Sequence, residues 1–312
     1  MRYLVTGGAG FIGSNLVDKL VSSNNFVIVF DDFSTGSREN KNPNAKYLDI
    51  DVSNKEMMES ETVQNILGGI DVVFHMACLA RVQPSIENPA LYHDKNVNGL
   101  VNMLEASRKG NVKRFIFSSS SSVYGDAKEL PTTENCKLNP MSPYAVHKLI
   151  GEQYCKLYSE LYNLETASLR YFNVYGERQP TEGDYCLVMG VFAQQKKLGK
   201  PMTIRGDGKQ KRDFVYVGDV VDANIKCSDY PLELNGDIFN IGNGDNFSVN
   251  EIADLIGGNR ITVDPVIEPK ETLVDNTKAK KVLGWEPQGN LEKWIPKWTR
   301  SLGLGLVRNN DE

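Results

Sequence analysis

The segment Gly7-Gly8-Ala9-Gly10-Phe11-Ile12-Gly13 lies between a short apolar run, Arg2-Tyr3-Leu4-Val5-Thr6, and a stretch from Asn15 to Val21 whose apolar residues recur at helical spacing. That order predicts a buried parallel strand, a tight turn and a helix. At the turn, Gly7 can take a backbone conformation closed to other residues, Gly10 lets a pyrophosphate approach the main chain, and Gly13 lets helix and strand pack closely. The helix start offers N–H groups and partial positive charge, which suit phosphate. An ordinary tight turn also uses glycines, so the surrounding sequence decides between the two readings. A second apolar run, Phe26-Val27-Ile28-Val29-Phe30, ends in Asp31-Asp32. A carboxylate there accepts hydrogen bonds from both hydroxyls of an adenosine ribose and repels a 2′-phosphate, which favours NAD over NADP. Asp49 and Ile50, closing the run Lys46-Tyr47-Leu48, are expected to border the adenine.

Chemistry enters with Tyr144-Ala145-Val146-His147-Lys148. On a helix this spacing places Tyr144 and Lys148 on one face, with Cβ atoms about 5–6 Å apart. Ser142-Pro143 supplies the helix start. A free phenol, with a pKa near ~10, is a poor base at neutral pH unless a cation favours its ionised form. Lys148 is such a cation. The same spacing also describes a tyrosine beside a surface lysine, but here it follows an apolar strand, Val112 to Phe117, that runs into Ser118-Ser119-Ser120-Ser121-Ser122-Val123-Tyr124-Gly125. In an open α/β sheet, ligands bind beyond the carboxyl ends of the strands, where this serine cluster would lie.

Taken together, the chain resembles an extended short-chain dehydrogenase/reductase, and within that superfamily a nucleotide-sugar 4-epimerase of the UDP-glucose 4-epimerase type. The resemblance spans nearly the whole sequence. It is carried by Gly7 to Gly13, Asp31-Asp32, His75-Met76-Ala77, Asn96-Val97-Asn98-Gly99, Ser118 to Gly125, Tyr144 to Lys148, Leu169-Arg170-Tyr171-Phe172-Asn173, Arg212-Asp213-Phe214-Val215-Tyr216-Val217 and Leu283-Gly284-Trp285. It implies Tyr144 as catalytic base, Lys148 as its activator and a ligand of the nicotinamide ribose, and Ser120 as hydrogen-bond partner of the reacting oxygen. It places Phe11, Ile12, Ala77, Asn96 and Tyr171 beside the cofactor with the glycines and Asp31, Asp32, Asp49 and Ile50. For the substrate it implies Arg212 and Asn173 at the diphosphate and Glu268 at the nucleotide ribose. Thr272 would stand as a gate beside the sugar's C2 substituent, and a threonine there leaves space for an N-acetyl group.

Relatives that eliminate water carry Asp-Glu where this chain has Ser121-Ser122, and the related decarboxylases keep the Glu. Without those carboxylates no acid–base group serves the sugar's C5, and reversible hydride transfer at C4 is the reaction these residues can complete. The resemblance therefore implies C4 epimerisation of a UDP-hexose (UDP-glucose/UDP-galactose, with UDP-GlcNAc/UDP-GalNAc admitted by Thr272) through a 4-keto intermediate. Two alternatives stay open: a one-way NAD-dependent nucleotide-sugar dehydrogenase or reductase, and a non-catalytic dinucleotide-binding sensor. Two departures from the family pattern stand out. Pro265-Val266-Ile267 lacks the arginine expected before Glu268, for which Arg205 or Arg81 would have to substitute, and Ala80 replaces a lysine that meets the cofactor phosphate.

A net charge of -5 over 312 residues gives no basic surface for nucleic acid. No apolar run approaches the ~20 residues of a membrane span, and the glycine motif begins too early for a cleaved signal peptide, so a cytoplasmic location is expected. Five cysteines without paired spacing read as reduced thiols, and three scattered histidines offer no metal site. Strands alternate with helices from Met1 to about Leu169, the rhythm of a Rossmann doubly wound parallel sheet. This predicts an NAD-binding domain over 1–172, to which segments within about 215–243 return, and a smaller, loop-rich substrate lobe over 173–312. Apolar faces near Asn98 to Ser107 and Ala145 to Leu161 resemble the family's dimer contact, which implies a homodimer.

Overall fold

The computed structural model describes residues 1–182, 186–265 and 269–305. In chain order its strands are β1 (Arg2–Thr6), β2 (Phe26–Asp31), β3 (Lys46–Asp49), β4 (Val72–His75), β5 (Arg114–Ser120), β6 (Glu165–Tyr171), β7 (Asn173–Tyr175), β8 (Met202–Arg205), β9 (Lys211–Tyr216), β10 (Asp237–Ile241), β11 (Asn246–Ser248) and β12 (Arg260–Val263). Seven of them form one sheet in the order β3-β2-β1-β4-β5-β6-β10, and every pairing in it is parallel. This is the Rossmann doubly wound arrangement, and its strand order reverses between β1 and β4, where a crevice opens at the carboxyl ends.

Both faces of the sheet are buried, so its strands read as continuous apolar runs while successive side chains alternate between two cores. Tyr3 and Val5 of β1 and Val27 and Val29 of β2 join one cluster with Leu16, Leu20, Val220 and Trp285. Leu4, Ile28 and Phe30 join the other with Leu100, Met103, Leu104 and Cys155. The first cluster is roofed by the helices Phe11–Ser22 and Val217–Asp229, the second by Gly99–Lys109 and Pro143–Tyr162. A third cluster, with Met189, Phe192, Phe214, Ile252 and Ile295, holds together the elements beyond β6 that do not belong to the main sheet. There β9 pairs in parallel with β7 and antiparallel with β11, and β8 pairs with β12.

Two details at the catalytic end differ from or sharpen the sequence reading. The strand expected to stop at Phe117 runs on through Ser118, Ser119 and Ser120, because β6 continues alongside it with Leu169, Arg170 and Tyr171 in register. The helix after it starts at Pro143, capped by the Ser142 hydroxyl accepting from the Ala145 N–H at 3.2 Å, and ends at Asn163 in the left-handed region, φ 55°.

Helix Pro143–Tyr162 is tied to β6 by a buried ion pair. Arg170 presents both faces of its fork to Glu152, Nε to Oε1 at 2.8 Å and Nη2 to Oε2 at 2.7 Å, with side chains 1% and 0% exposed. Arg170 Nη1 also donates to Tyr124 Oη at 2.7 Å, Tyr124 donates to Asn240 Oδ1 at 2.7 Å, and the Ser119 hydroxyl donates to Glu152 Oε1 at 2.5 Å. Breaking such a pair strands a buried charge, whereas replacing both partners by apolar residues does not. Arg170→Met is therefore expected to destabilise the protein by ~3–5 kcal/mol, and Arg170→Met combined with Glu152→Leu by clearly less, as read from urea unfolding midpoints.

Candidate active site

The crevice at the reversal point encloses a cavity of about 390 Å³. Its walls come from the turn after β1 (Gly7, Gly10, Phe11, Ile12, Gly13), the ends of β2 and β3 (Asp31, Asp32, Ile50, Asp51), the segment after β4 (Ala77, Cys78, Arg81), Ser118 of β5, Tyr171 of β6, and Tyr144 and Lys148. Most of the residues expected at a cofactor thus meet in one place.

The turn fits a dinucleotide. Gly7 has φ +68°, and a Cβ there would sit 2.8 Å from the Ala77 nitrogen; a Cβ on Gly13 would drive into the Gly7 carbonyl. The helix Phe11–Ser22 begins at Gly10 with no side-chain cap, so its opening turn faces the cavity without an internal acceptor. Asp31 is buried, its Oδ2 accepting from the Ala9 N–H at 2.8 Å and Oδ1 from the Phe33 N–H at 2.9 Å. Burial pushes its carboxyl up, against the pull of those two N–H groups. Asn96 is not on the wall. It uses its amide to grip the Leu79 backbone, accepting at 2.7 Å and donating at 3.0 Å, and so shapes the loop that carries Ala77 and Cys78.

Asp49 is also off the cavity wall: its side chain is 64% exposed and pairs with Arg38 at 3.0 Å. β3 ends there in register with Asp31, and the chain turns inward only afterwards, so the carboxylate that reaches the cavity is Asp51.

At the other end of the cavity, Lys148 is buried and donates to the Ser118 carbonyl at 2.7 Å, with its ammonium 5.7 Å from the centre of the Tyr144 ring. Burial pulls the Lys148 ammonium down, but Cys78, Tyr144 and Glu152 outweigh it and the net shift is upward. The Tyr144 phenol is pushed up by burial, with Lys148 the strongest of the groups that pull it back, helped by a hydrogen bond from Ser120 and by Arg81. Among the clustered serines, Ser118 pairs with Tyr171 Oη at 3.1 Å and Ser119 with Glu152, whereas Ser120 accepts from the Ser122 N–H at 3.1 Å and faces Tyr144. Ser120 is thus the serine directed at the phenol. Beneath this layer His75 bonds Thr6 Oγ1 at 3.0 Å, and burial lowers it to about 3, so it is neutral and structural.

The residues expected at the substrate diphosphate and sugar gather on a separate wall, and none of Asn173, Arg212 and Thr272 is among the residues that line this cavity. Asn173 of β7 donates to the Asp213 carbonyl at 3.1 Å, Arg212 of β9 donates to the Lys211 carbonyl at 2.8 Å, and the Thr272 hydroxyl accepts from the Asp213 N–H at 3.1 Å. Asp213 anchors this wall: its carboxylate accepts from the N–H groups of Asn243 (2.7 Å), Gly244 (3.0 Å) and Val274 (3.2 Å). Glu268 lies outside the described residues. Among the described residues, no cluster of His, Cys, Asp or Glu could hold a metal ion, and no helix is long and apolar enough to cross a membrane.

A doubly wound sheet with a glycine turn, an acidic β2 end and a Ser-Tyr-Lys constellation defines a dinucleotide-dependent enzyme. Comparison with known proteins narrows this. The profile of the NAD dependent epimerase/dehydratase family matches residues 3–242. A UDP-glucose 4-epimerase of Mycolicibacterium smegmatis is 37% identical over 312 residues, covering 95% of this chain and 97% of that protein. The crystal structure of UDP-glucose 4-epimerase from Thermotoga maritima superposes with a TM-score of 0.90 at 37% identity, over 97% of this chain and 99% of that one. UDP-N-acetylglucosamine 4-epimerase from Methanobrevibacter ruminantium follows at 0.88 and 32%, over 96% and 97%. The chain belongs to the NAD dependent epimerase/dehydratase family; it is an enzyme of the epimerase type, and NAD is its cofactor.

Because Lys148 opposes the upward push on Tyr144, removing its charge must raise the phenol further. In Lys148→Met, measured at saturating NAD, the rising limb of the pH–rate profile should move to higher pH and the rate at neutral pH fall by ~10²-fold or more.

Proposed function

We propose that this enzyme interconverts the C4 epimers of a UDP-hexose. The observation that carries the reading is the position of Tyr144: it lines the cavity beside Lys148, whose ammonium lies 5.7 Å from the centre of its ring, and it faces Ser120. Where a dehydratase would offer acids, this chain has Ser121 and Ser122, wound into a short 3₁₀ turn after β5. The site therefore holds a base for one hydroxyl, and at the two positions after Ser120 it has hydroxyls where a carboxylate would serve a neighbouring C–H bond.

Tyr144 Oη takes the proton of the 4′-hydroxyl, and the buried Lys148 ammonium stabilises the phenolate that makes this possible. NAD, which the glycine turn, Asp31 and Lys148 would hold in this cavity, would supply the acceptor and donor for the C4 hydride. Ser120 donates to the C4 oxygen, which alternates between hydroxyl and carbonyl, and Tyr144 gives the proton back. Between the two transfers the 4-keto sugar turns over while Arg212 and Asn173 hold its diphosphate. An arginine fork suits that anion.

The family members described above are epimerases of UDP-glucose and UDP-N-acetylglucosamine, which supports a UDP-hexose. Thr272, its hydroxyl turned to the Asp213 backbone, leaves a small side chain at the position we assign to the C2 substituent. N-acetylated hexose is accordingly within the substrate range. Val146, Leu157 and Leu161 of helix Pro143–Tyr162 are exposed, which supports pairing of two copies through this helix.

NMR of the enzyme with UDP-glucose and, separately, UDP-N-acetylglucosamine should show the 4-epimer of each without lasting NADH absorbance. Accumulating NADH, or full turnover by Tyr144→Phe, is incompatible with the proposal. Thr272→Tyr should retain UDP-glucose turnover and lose most of its activity on the N-acetylated sugar; equal losses on both would remove Thr272 from the gate.

A further inference from the structure

The adenosine end of the cavity contains an ionic arrangement that cofactor binding alone does not require. Lys95 rises from the one-turn π-helix Asp94–Asn98 and places its ammonium 2.5 Å from Asp51 Oδ2 and 3.4 Å from Asp32 Oδ2. All three side chains line the cavity, and they are only 24–31% exposed. Both carboxylates are oriented in the same way, through an Asp-x-Ser turn. Asp32 Oδ1 accepts from the Ser34 N–H at 3.0 Å and the Ser34 hydroxyl at 2.6 Å; Asp51 Oδ1 accepts from the Ser53 N–H at 3.0 Å and the Ser53 hydroxyl at 2.6 Å. Each aspartate thus spends one oxygen on its own loop and presents the other to Lys95. The neighbouring residue Asn96 fixes the base of the lysine by gripping the Leu79 backbone.

We infer that Lys95 is a strap that cross-links the loops after β2 and β3 at the adenosine end of the cleft and sets how slowly NAD leaves. Besides Lys95, these loops are tied at their base, where the Ile50 N–H donates to the Asp31 carbonyl at 3.3 Å, and by the exposed pair Arg38–Asp49, so Lys95 is the tie that lies at the cavity itself. Its ammonium is engaged by Asp32 and Asp51, so its effect falls on cofactor retention. A partly exposed ionic strap also has a signature that apolar packing lacks: salt weakens it.

The test measures NAD release directly. Holoenzyme is passed through a desalting column or chased with excess unlabelled NAD, and the NAD still bound is followed in time at ~0.05 M and ~0.5 M salt. Wild type should lose NAD faster at the higher salt. Lys95→Met should release NAD roughly fivefold faster at low salt and show little further acceleration with salt, while Lys95→Arg should restore both slow release and its salt dependence. Thermal midpoints of the NAD-free proteins separate a folding defect from a loosened strap. Release from Lys95→Met that equals wild type, or that is faster but keeps the full salt dependence, overturns the inference; so does a failure of Lys95→Arg to restore retention in a folded protein.

Discussion

The bidentate pair between Arg170 and Glu152 is the interaction on which the catalytic geometry rests. A helix packed on a sheet through apolar contacts alone can slide by a fraction of a turn at little cost, because such contacts are non-directional. A guanidinium gripping a carboxylate with two parallel hydrogen bonds in a dry interior cannot. Tyr144, Lys148 and Glu152 follow one another at four-residue intervals along the same helix, so fixing Glu152 over β6 fixes the azimuth of the two residues above it. The same carboxylate takes the hydroxyl of Ser119, which turns that serine inward and leaves Ser120 to face the phenol. One buried charge pair thereby sets both partners of the reacting oxygen.

Much of this was legible in the sequence where the backbone itself imposes the requirement. The strand, glycine turn and helix at the start of the chain could be read because few residue types satisfy those backbone conformations and close approaches. Tyr144 and Lys148 could be read because helical spacing and a capping Ser-Pro fix which face they share. Asp49 shows where such reading fails: an acid at a strand end is a sound marker only if the chain turns toward the ligand there, and β3 turns two residues later, at Asp51. Lys95 carries no local signal at all. Its partners are 44 and 63 positions away, and only the assembled sheet brings them together. Arg170 reads as an unwelcome charge within a strand until Glu152 appears beneath it.

The two ends of the cavity solve opposite electrostatic problems. At the adenosine end, carboxylates outnumber cations, and what remains after Lys95 is neutralised suits hydroxyls and repels added phosphate. At the reacting end a single buried ammonium dominates, in a low-dielectric setting where its effect on a neighbouring phenol is large. Separation along the cavity lets each field act on its own part of the cofactor.

The anchoring of Asp213 has a consequence for how the enzyme comes into being. Its carboxylate gathers N–H groups from Asn243, Gly244 and Val274, and the strand segment through Val274 is stitched to Thr132, whose N–H donates to the Leu273 carbonyl while its carbonyl accepts from the Asp275 N–H. The first six strands of the main sheet are complete by Tyr171 and can form as the chain emerges. The loop that follows the catalytic serines, by contrast, has its partner more than a hundred residues downstream. During synthesis the ribosome thus delivers the cofactor cradle well before it delivers the N–H groups that anchor Asp213, and maturation of that wall is timed by the last quarter of the chain.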